Sequence, residues 1–81
     1  MPEIVIVIPA LNEERAIGKV LAHIPVDAAS EVVVVDNGSS DATAKIAQNA
    51  GATVIHEVRK GYGFACLRGI EYVNQDQRKL T

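Results

Sequence analysis

Hydrophobic positions in this chain come in two kinds of pattern. Ile4-Val5-Ile6-Val7-Ile8 and Val32-Val33-Val34-Val35 are unbroken, β-branched apolar runs. A strand without polar alternation is buried on both faces, as in a parallel sheet covered by helices. Each run stops abruptly, at Pro9-Ala10-Leu11-Asn12-Glu13-Glu14 and at Asp36-Asn37-Gly38-Ser39-Ser40-Asp41. The other pattern is helical. Ile17, Val20, Leu21 and Ile24 recur at i, i+3, i+4 and i+7 and make one apolar face.

These patterns predict six elements. The first strand spans Glu3 to Ile8, and Pro9 ends it by removing a ladder donor. Asn12 is expected to cap the first helix, with Glu13 and Glu14 in its first turn favouring the helix dipole. Pro25 stops that helix. The second strand spans Glu31 to Val35, and Asn37-Gly38 turns the chain. Ser39 or Ser40 then caps a second helix with Ala42, Ile46, Ala47 and Ala50 on one face. Gly51 sits where a left-handed C-terminal cap belongs. A third strand from Thr53 to Val58 alternates in part, which places it nearer the sheet edge. The third helix spans Phe64 to Asn74, with Phe64, Leu67, Ile70 and Val73 at helical spacing, and a polar tail runs from Gln75 to Thr81. The order βαβαβα predicts right-handed crossovers and a parallel sheet in the order 3-2-1, an α/β, Rossmann-like three-layer sandwich.

Composition narrows the function classes. With 81 residues the chain holds at most one small domain. Its single cysteine, Cys66, excludes an internal disulfide, and two histidines make no zinc cluster. Basic residues are few and balanced by acids, which argues against nucleic acid as a partner. The longest apolar run is too short to span a bilayer, and the N-terminus lacks the basic start of a secretory signal. A reduced, cytoplasmic setting is expected.

Candidate chemistry gathers at one sheet edge. Ligands of open α/β sheets bind outside the carboxyl ends of the strands. The loops 9–14, 36–41 and 59–63 converge there. Asp36 stands out, because a carboxylate directly ending four valines has little structural reason to be there. It can accept hydrogen bonds from a ribose or from the imide of a base. Glycines let a backbone approach a ligand closely, and Arg59, Lys60 and Arg68 are the cations available for a diphosphate. Plainer readings stand beside these. Asp41 reads as a helix-start residue, Asn12 as a cap, Glu14 as solvent-facing and Cys66 as a small packing residue. Tyr62 and Phe64 read as core, and His23 and His56 as without catalytic role. Gly61-x-Gly63 is no dinucleotide fingerprint, because Cys66 replaces its third glycine.

Three segments carry a family resemblance. Pro9-Ala10-Leu11-Asn12-Glu13-Glu14 resembles the P-x-x-N-E segment of family-2 glycosyltransferases of the GT-A fold. Val35-Asp36-Asn37-Gly38-Ser39-Ser40-Asp41-Ala42-Thr43 resembles their V-D-D-G-S-x-D-x-T segment. Lys60-Gly61-Tyr62-Gly63-Phe64-Ala65-Cys66-Leu67-Arg68-Gly69-Ile70 resembles their G-x-G-x-A-x-x-x-G-I loop and helix. The branch is similar to dolichol-phosphate mannose synthases and bacterial polyprenyl-linked sugar transferases.

The resemblance implies a nucleoside-diphosphate sugar as partner and donor. It places Pro9 and Leu11 along the base, Glu13 at the ribose or base and Asp36 at the base. Lys60 and Arg68 fall near the base or phosphates, and Gly38 completes the implied binding set. Asn37 departs from the second aspartate of many relatives, so no carboxylate role falls there. A divalent cation, Mg2+ or Mn2+, is expected for the full-length family member. The family's D-x-D metal motif and its general base are absent from these residues. The expectation is therefore the N-terminal nucleotide-sugar-binding portion of an inverting transferase, with a lipid-phosphate or saccharide acceptor. This portion alone is expected to bind no metal and to be inactive. In a full-length form, membrane association accompanies such an acceptor. The exposed first strand is expected to promote self-association. The rival readings are a non-catalytic nucleotide-binding or interaction module, and a dinucleotide-binding half-domain, against which the missing G-x-G-x-x-G counts.

Overall fold

The computed structural model describes residues 4–75. Its elements run β1 (Val5–Ala10), α1 (Ile17–Ala22), β2 (Glu31–Asp36), α2 (Thr43–Asn49), β3 (Thr53–His56) and α3 (Tyr62–Gln75). Both strand pairings are parallel, and the order across the sheet is β1-β2-β3. Ala10, Asp36 and His56 lie side by side at the carboxyl ends of the strands. This is the expected α/β, Rossmann-like arrangement.

The unbroken valine run follows from burial on both faces. Val34 joins Ala10, Ile17 and Ala47 beneath α1 and α2, whereas Val33 and Val35 join Ala65 beneath α3. One strand thus feeds two cores, with alternate side chains pointing opposite ways. At the far end of the sheet, Glu31 Oε2 accepts hydrogen bonds from Thr53 Oγ1 at 2.8 Å and Tyr72 Oη at 2.9 Å.

Several sequence expectations shift. The first strand continues through Pro9 to Ala10 rather than ending at Ile8. A proline fits there because, among the described residues, β1 pairs with a strand on one side only, and edge positions tolerate a missing donor. Asn12 does not cap α1. It has φ of 53°, and regular helix begins at Ile17 after a turn closed by Ile17 N–H donating to Glu13 O at 2.8 Å. Gly51 does adopt the left-handed cap, with φ of 97°. The third strand stops at His56, two residues before Val58, because Glu57 turns its carboxylate onto Arg59. The face α3 buries is Ala65 and Gly69, with Tyr72 half-buried, while Phe64, Leu67 and Ile70 are exposed. Small residues win that face because the helix lies so close to the strands. Glu3 and most of the polar tail lie outside the described residues.

Candidate functional site

Three loops meet beyond the carboxyl ends of the strands, and polar contacts clasp them together. Asn12 tolerates the left-handed region that its turn requires. Its Oδ1 accepts the Ser40 N–H at 2.9 Å, and its own N–H donates to Ser39 Oγ at 2.9 Å. Glu13 N–H donates to Thr43 Oγ1 at 2.8 Å. Glu14 N–H donates to Asp41 Oδ2 at 3.3 Å, and Glu14 Oε1 accepts the Ala42 N–H at 3.1 Å. Asp41 Oδ1 also accepts the Thr43 hydroxyl and the Thr43 N–H. The Thr43 hydroxyl, ahead of the backbone N–H groups, pulls the Asp41 carboxyl below its ordinary range. Asp41 thus stands just ahead of α2 rather than in its first turn, and its carboxylate holds the Thr43 N–H and hydroxyl. Ser39 and Ser40 serve Asn12 instead of capping α2.

Asn37 organises the third loop. It is 6% exposed. Its Nδ2 donates to Glu57 O at 3.0 Å and Arg59 O at 2.8 Å, and its Oδ1 accepts the Gly61 N–H at 3.0 Å. Two donors and one acceptor on a single side chain match that triad, and a carboxylate cannot supply the donors.

Glu57 is buried beside it. Glu57 Oε2 accepts the Arg59 N–H at 2.6 Å and Nε–H at 3.1 Å, and Oε1 accepts from Nη2 at 2.9 Å. The Arg59 side chain, then its backbone N–H, pull the Glu57 carboxyl down to about 2, and the charge of Arg68 adds to this. The same pairing raises the pKa of Arg59. The Arg59 guanidinium sits 4.6 Å from the centroid of Phe64, over the first turn of α3.

Asp36 is 5% exposed. Its Oδ1 faces the Ser39 N–H at 3.4 Å and its Oδ2 faces His56 Nδ1 at 3.4 Å. Both contacts are long for hydrogen bonds.

Between the loops lies a cleft of about 280 Å³, lined by Pro9, Ala10, Leu11, Glu13, Asn37, Gly61, Tyr62 and Ala65. A recess of about 340 Å³ shares Gly61 with it and adds Lys60, Gly63, Phe64 and Leu67. The structure thus brings Pro9, Leu11 and Glu13 together on the cleft, with Lys60 on the adjoining recess. Asp36 is buried at the end of β2 and does not line the cleft. Gly38 is exposed in the second loop with φ of 91°. Arg68 is half-buried on α3 and acts on Glu57. Arg59 is not an available cation, because Glu57 holds it.

Sequence reasoning missed Glu57, the hub role of Asn37 and the place of His56 beside Asp36. A charged Glu57-x-Arg59 pair just past a strand was the visible signal for the first. The described residues do not fit a divalent cation. No three His, Cys, Asp or Glu side chains come together among them, and the carboxylates of Glu14, Asp41 and Glu57 are taken up by the contacts above.

Residues 5–77 match the family model described as glycosyl transferase family 2. The chain belongs to this family. An uncharacterized glycosyltransferase of Mycobacterium tuberculosis is 46% identical over 67 residues, which cover 83% of this chain and 30% of the relative. The dolichyl-phosphate hexose transferase of Haloferax volcanii is 48% identical over 65 residues, covering 78% of this chain and 28% of the relative. Among solved structures, glucosyl-3-phosphoglycerate synthase of M. tuberculosis superposes with a TM-score of 0.78 at 38% identity, covering 85% of this chain and 29% of that one. That crystal holds Mn2+, uridine diphosphate and glucosyl-3-phosphoglycerate. The chain spans about 30% of the length of these relatives. The GT-A neighbour places this family 2 chain in that fold. No helix among the described residues is long and apolar enough to cross a membrane.

Proposed function

We propose that residues 1–81 are the nucleotide-sugar-binding portion of an inverting glycosyltransferase, and that the cleft takes the nucleoside diphosphate of the donor. The observation that carries this reading is the convergence of Pro9, Leu11 and Glu13 with Asn37 and Gly61 on one cleft outside the carboxyl ends of parallel strands. With the adjoining recess, the space falls in the range of about 300–1,000 Å³ typical of small-molecule sites. The uridine diphosphate in the related synthase supports the same ligand class.

Pro9 and Leu11 give a base an apolar wall. Glu13 offers a carboxylate to ribose hydroxyls. Asp36, buried just off the cleft at the end of β2, accepts an N–H of the base once the bound base displaces its two long contacts with Ser39 and His56. Lys60 and Arg68 meet the diphosphate, and Gly38 leaves the backbone open to close approach. In the complete enzyme an acceptor oxygen attacks the anomeric carbon. The bond from that carbon to the diphosphate oxygen breaks, and nucleoside diphosphate leaves as the configuration inverts. The acceptor is a lipid phosphate or a saccharide, and the dolichyl-phosphate relative supports the former. A lipid-phosphate acceptor brings the cytoplasmic enzyme to a membrane surface. These residues bind the donor, and turnover belongs to others. A second reading is a non-catalytic nucleotide-binding or interaction module.

Calorimetry on the full-length protein with uridine and guanosine diphosphates tests the binding claim. Asp36→Ala is expected to cost about 1.5–3 kcal/mol, the range for a hydrogen bond to a charged group. Unchanged affinity for both nucleotides contradicts it. Sugar transfer by the full-length protein excludes the module reading, and binding without transfer excludes the enzyme.

A further inference from the structure

We infer that Glu57 and Arg59 are positioning residues that set the diphosphate end of the proposed site by locking the third loop, an inference that rests on the nucleotide reading above. Glu57 and Arg59 do not line the cleft, yet they brace the loop that does. The carboxylate of Glu57 is buried and grips both the backbone N–H and the side-chain fork of Arg59. Asn37 fastens the same loop at the carbonyls of Glu57 and Arg59 and at the Gly61 N–H. Arg59 in turn lies over Phe64, which ties the loop to the first turn of α3. Lys60 sits between these anchors, flanked by Arg59 and by Gly61, whose φ is 128°.

A fork-to-carboxylate pairing fixes direction as well as distance. A lysine carried on a loop held this way is pre-ordered, and pre-ordering removes part of the entropy cost of binding. The base and ribose, by contrast, meet Pro9, Leu11 and Glu13 on the first loop, which the Asn12 and Glu14 contacts hold independently. The lock therefore acts chiefly on Lys60 and the phosphates, because Gly61 on the cleft wall is also held by Asn37 and the first loop by its own contacts. Its signature is the affinity gained when a nucleoside acquires its diphosphate.

The test compares uridine with uridine diphosphate, and guanosine with guanosine diphosphate, by calorimetry on the full-length protein. Glu57→Gln and Arg59→Met are each expected to weaken the favoured diphosphate about tenfold and to change its nucleoside by less than about twofold. Glu57→Gln is the decisive variant, because it adds a net positive charge. A long-range charge effect would make it bind diphosphate more tightly, whereas the lock makes it bind more weakly. Arg59→Lys keeps the charge, loses the fork and gives a second reading of the same loss should Glu57→Gln fail to fold. Tyr72→Phe, which removes a hydrogen bond at the opposite end of the sheet, leaves the ratio unchanged. Tighter diphosphate binding by Glu57→Gln, or an equal loss of nucleoside and diphosphate, overturns the inference. If the parent protein binds no nucleotide, the reading of the site falls first.

Discussion

Gly69 packs directly on Val7. A β-carbon at position 69 would stand 2.4 Å from Val7 Cγ1 and 3.4 Å from Val35 Cγ2. Neither methyl is the end of a flexible side chain, so the helix or the strand must move. Overpacking of this kind costs about 1–3 kcal/mol, against about 1 kcal/mol gained in helix propensity when alanine replaces glycine. Gly69→Ala is therefore expected to lower stability in urea unfolding, and Val7→Ala in the same chain to recover part of the loss. Equal or higher stability of the single variant would show that α3 does not lie this close.

Asn37→Asp tests the hub of the third loop. The change removes both donors and sets a carboxylate against the carbonyl oxygens of Glu57 and Arg59. Each buried group left unsatisfied costs about 1–3 kcal/mol, so a loss of about 2 kcal/mol or more is expected. Those oxygens disfavour the ionised form and raise the pKa of the new carboxyl. The deficit relative to the parent therefore shrinks as pH falls and the carboxyl is protonated. Denaturant midpoints at neutral and acid pH check both the size and the trend.

Glu57 links stability to pH in the opposite sense. Its carboxyl lies at about 2 in the folded chain against an ordinary 4.5. A lowered pKa contributes stability that is fully present above the unfolded value and is lost as pH falls through the folded one. The parent should thus lose more stability than Glu57→Gln between pH 4.5 and pH 2. Parallel curves for the two proteins would show that Arg59 does not hold the carboxylate in solution.

Self-association is expected through β1. Among the described residues its outer edge pairs with no strand, and Ile4 is 54% exposed. An apolar strand edge is a template for pairing, and a lysine on it blunts that tendency. Sedimentation of the 81-residue chain should show concentration-dependent association that Ile6→Lys reduces. A monodisperse monomer that unfolds cooperatively would contradict this.

β2 was legible because an unbroken β-branched run suits a strand buried on both faces, whereas β1 carries the same run half-buried at an edge among the described residues, and β3 stands at the other edge as its alternation suggested. Gly51 was legible from local turn chemistry. The clasp between loops was not, because Asn12 meets Ser40 and Glu13 meets Thr43 across 28 and 30 positions of sequence. Local propensity read the same residues as helix caps. The buried face of α3 was misleading for a related reason. Periodicity marks the large apolar residues, but close packing on the sheet selects Ala65 and Gly69. Of the candidate site, Pro9, Leu11 and Glu13 were singled out from sequence, and they line one cleft. The Glu57–Arg59 pair was visible as opposite charges two positions apart, but such a pair near a strand end reads as solvated surface.

The cleft at the carboxyl ends of the strands is proposed to take a nucleoside diphosphate. Backbone amide shifts of the isotope-labelled protein, followed by NMR as uridine or guanosine diphosphate is added, test it most directly. The largest saturable shifts are expected at Leu11, Glu13, Asn37, Gly61 and Tyr62. Shifts centred instead on the hollow of about 430 Å³ at the opposite end of the sheet, around Ile24, Val26, Ala29 and Gly51, would contradict it, as would no saturable shift with either nucleotide.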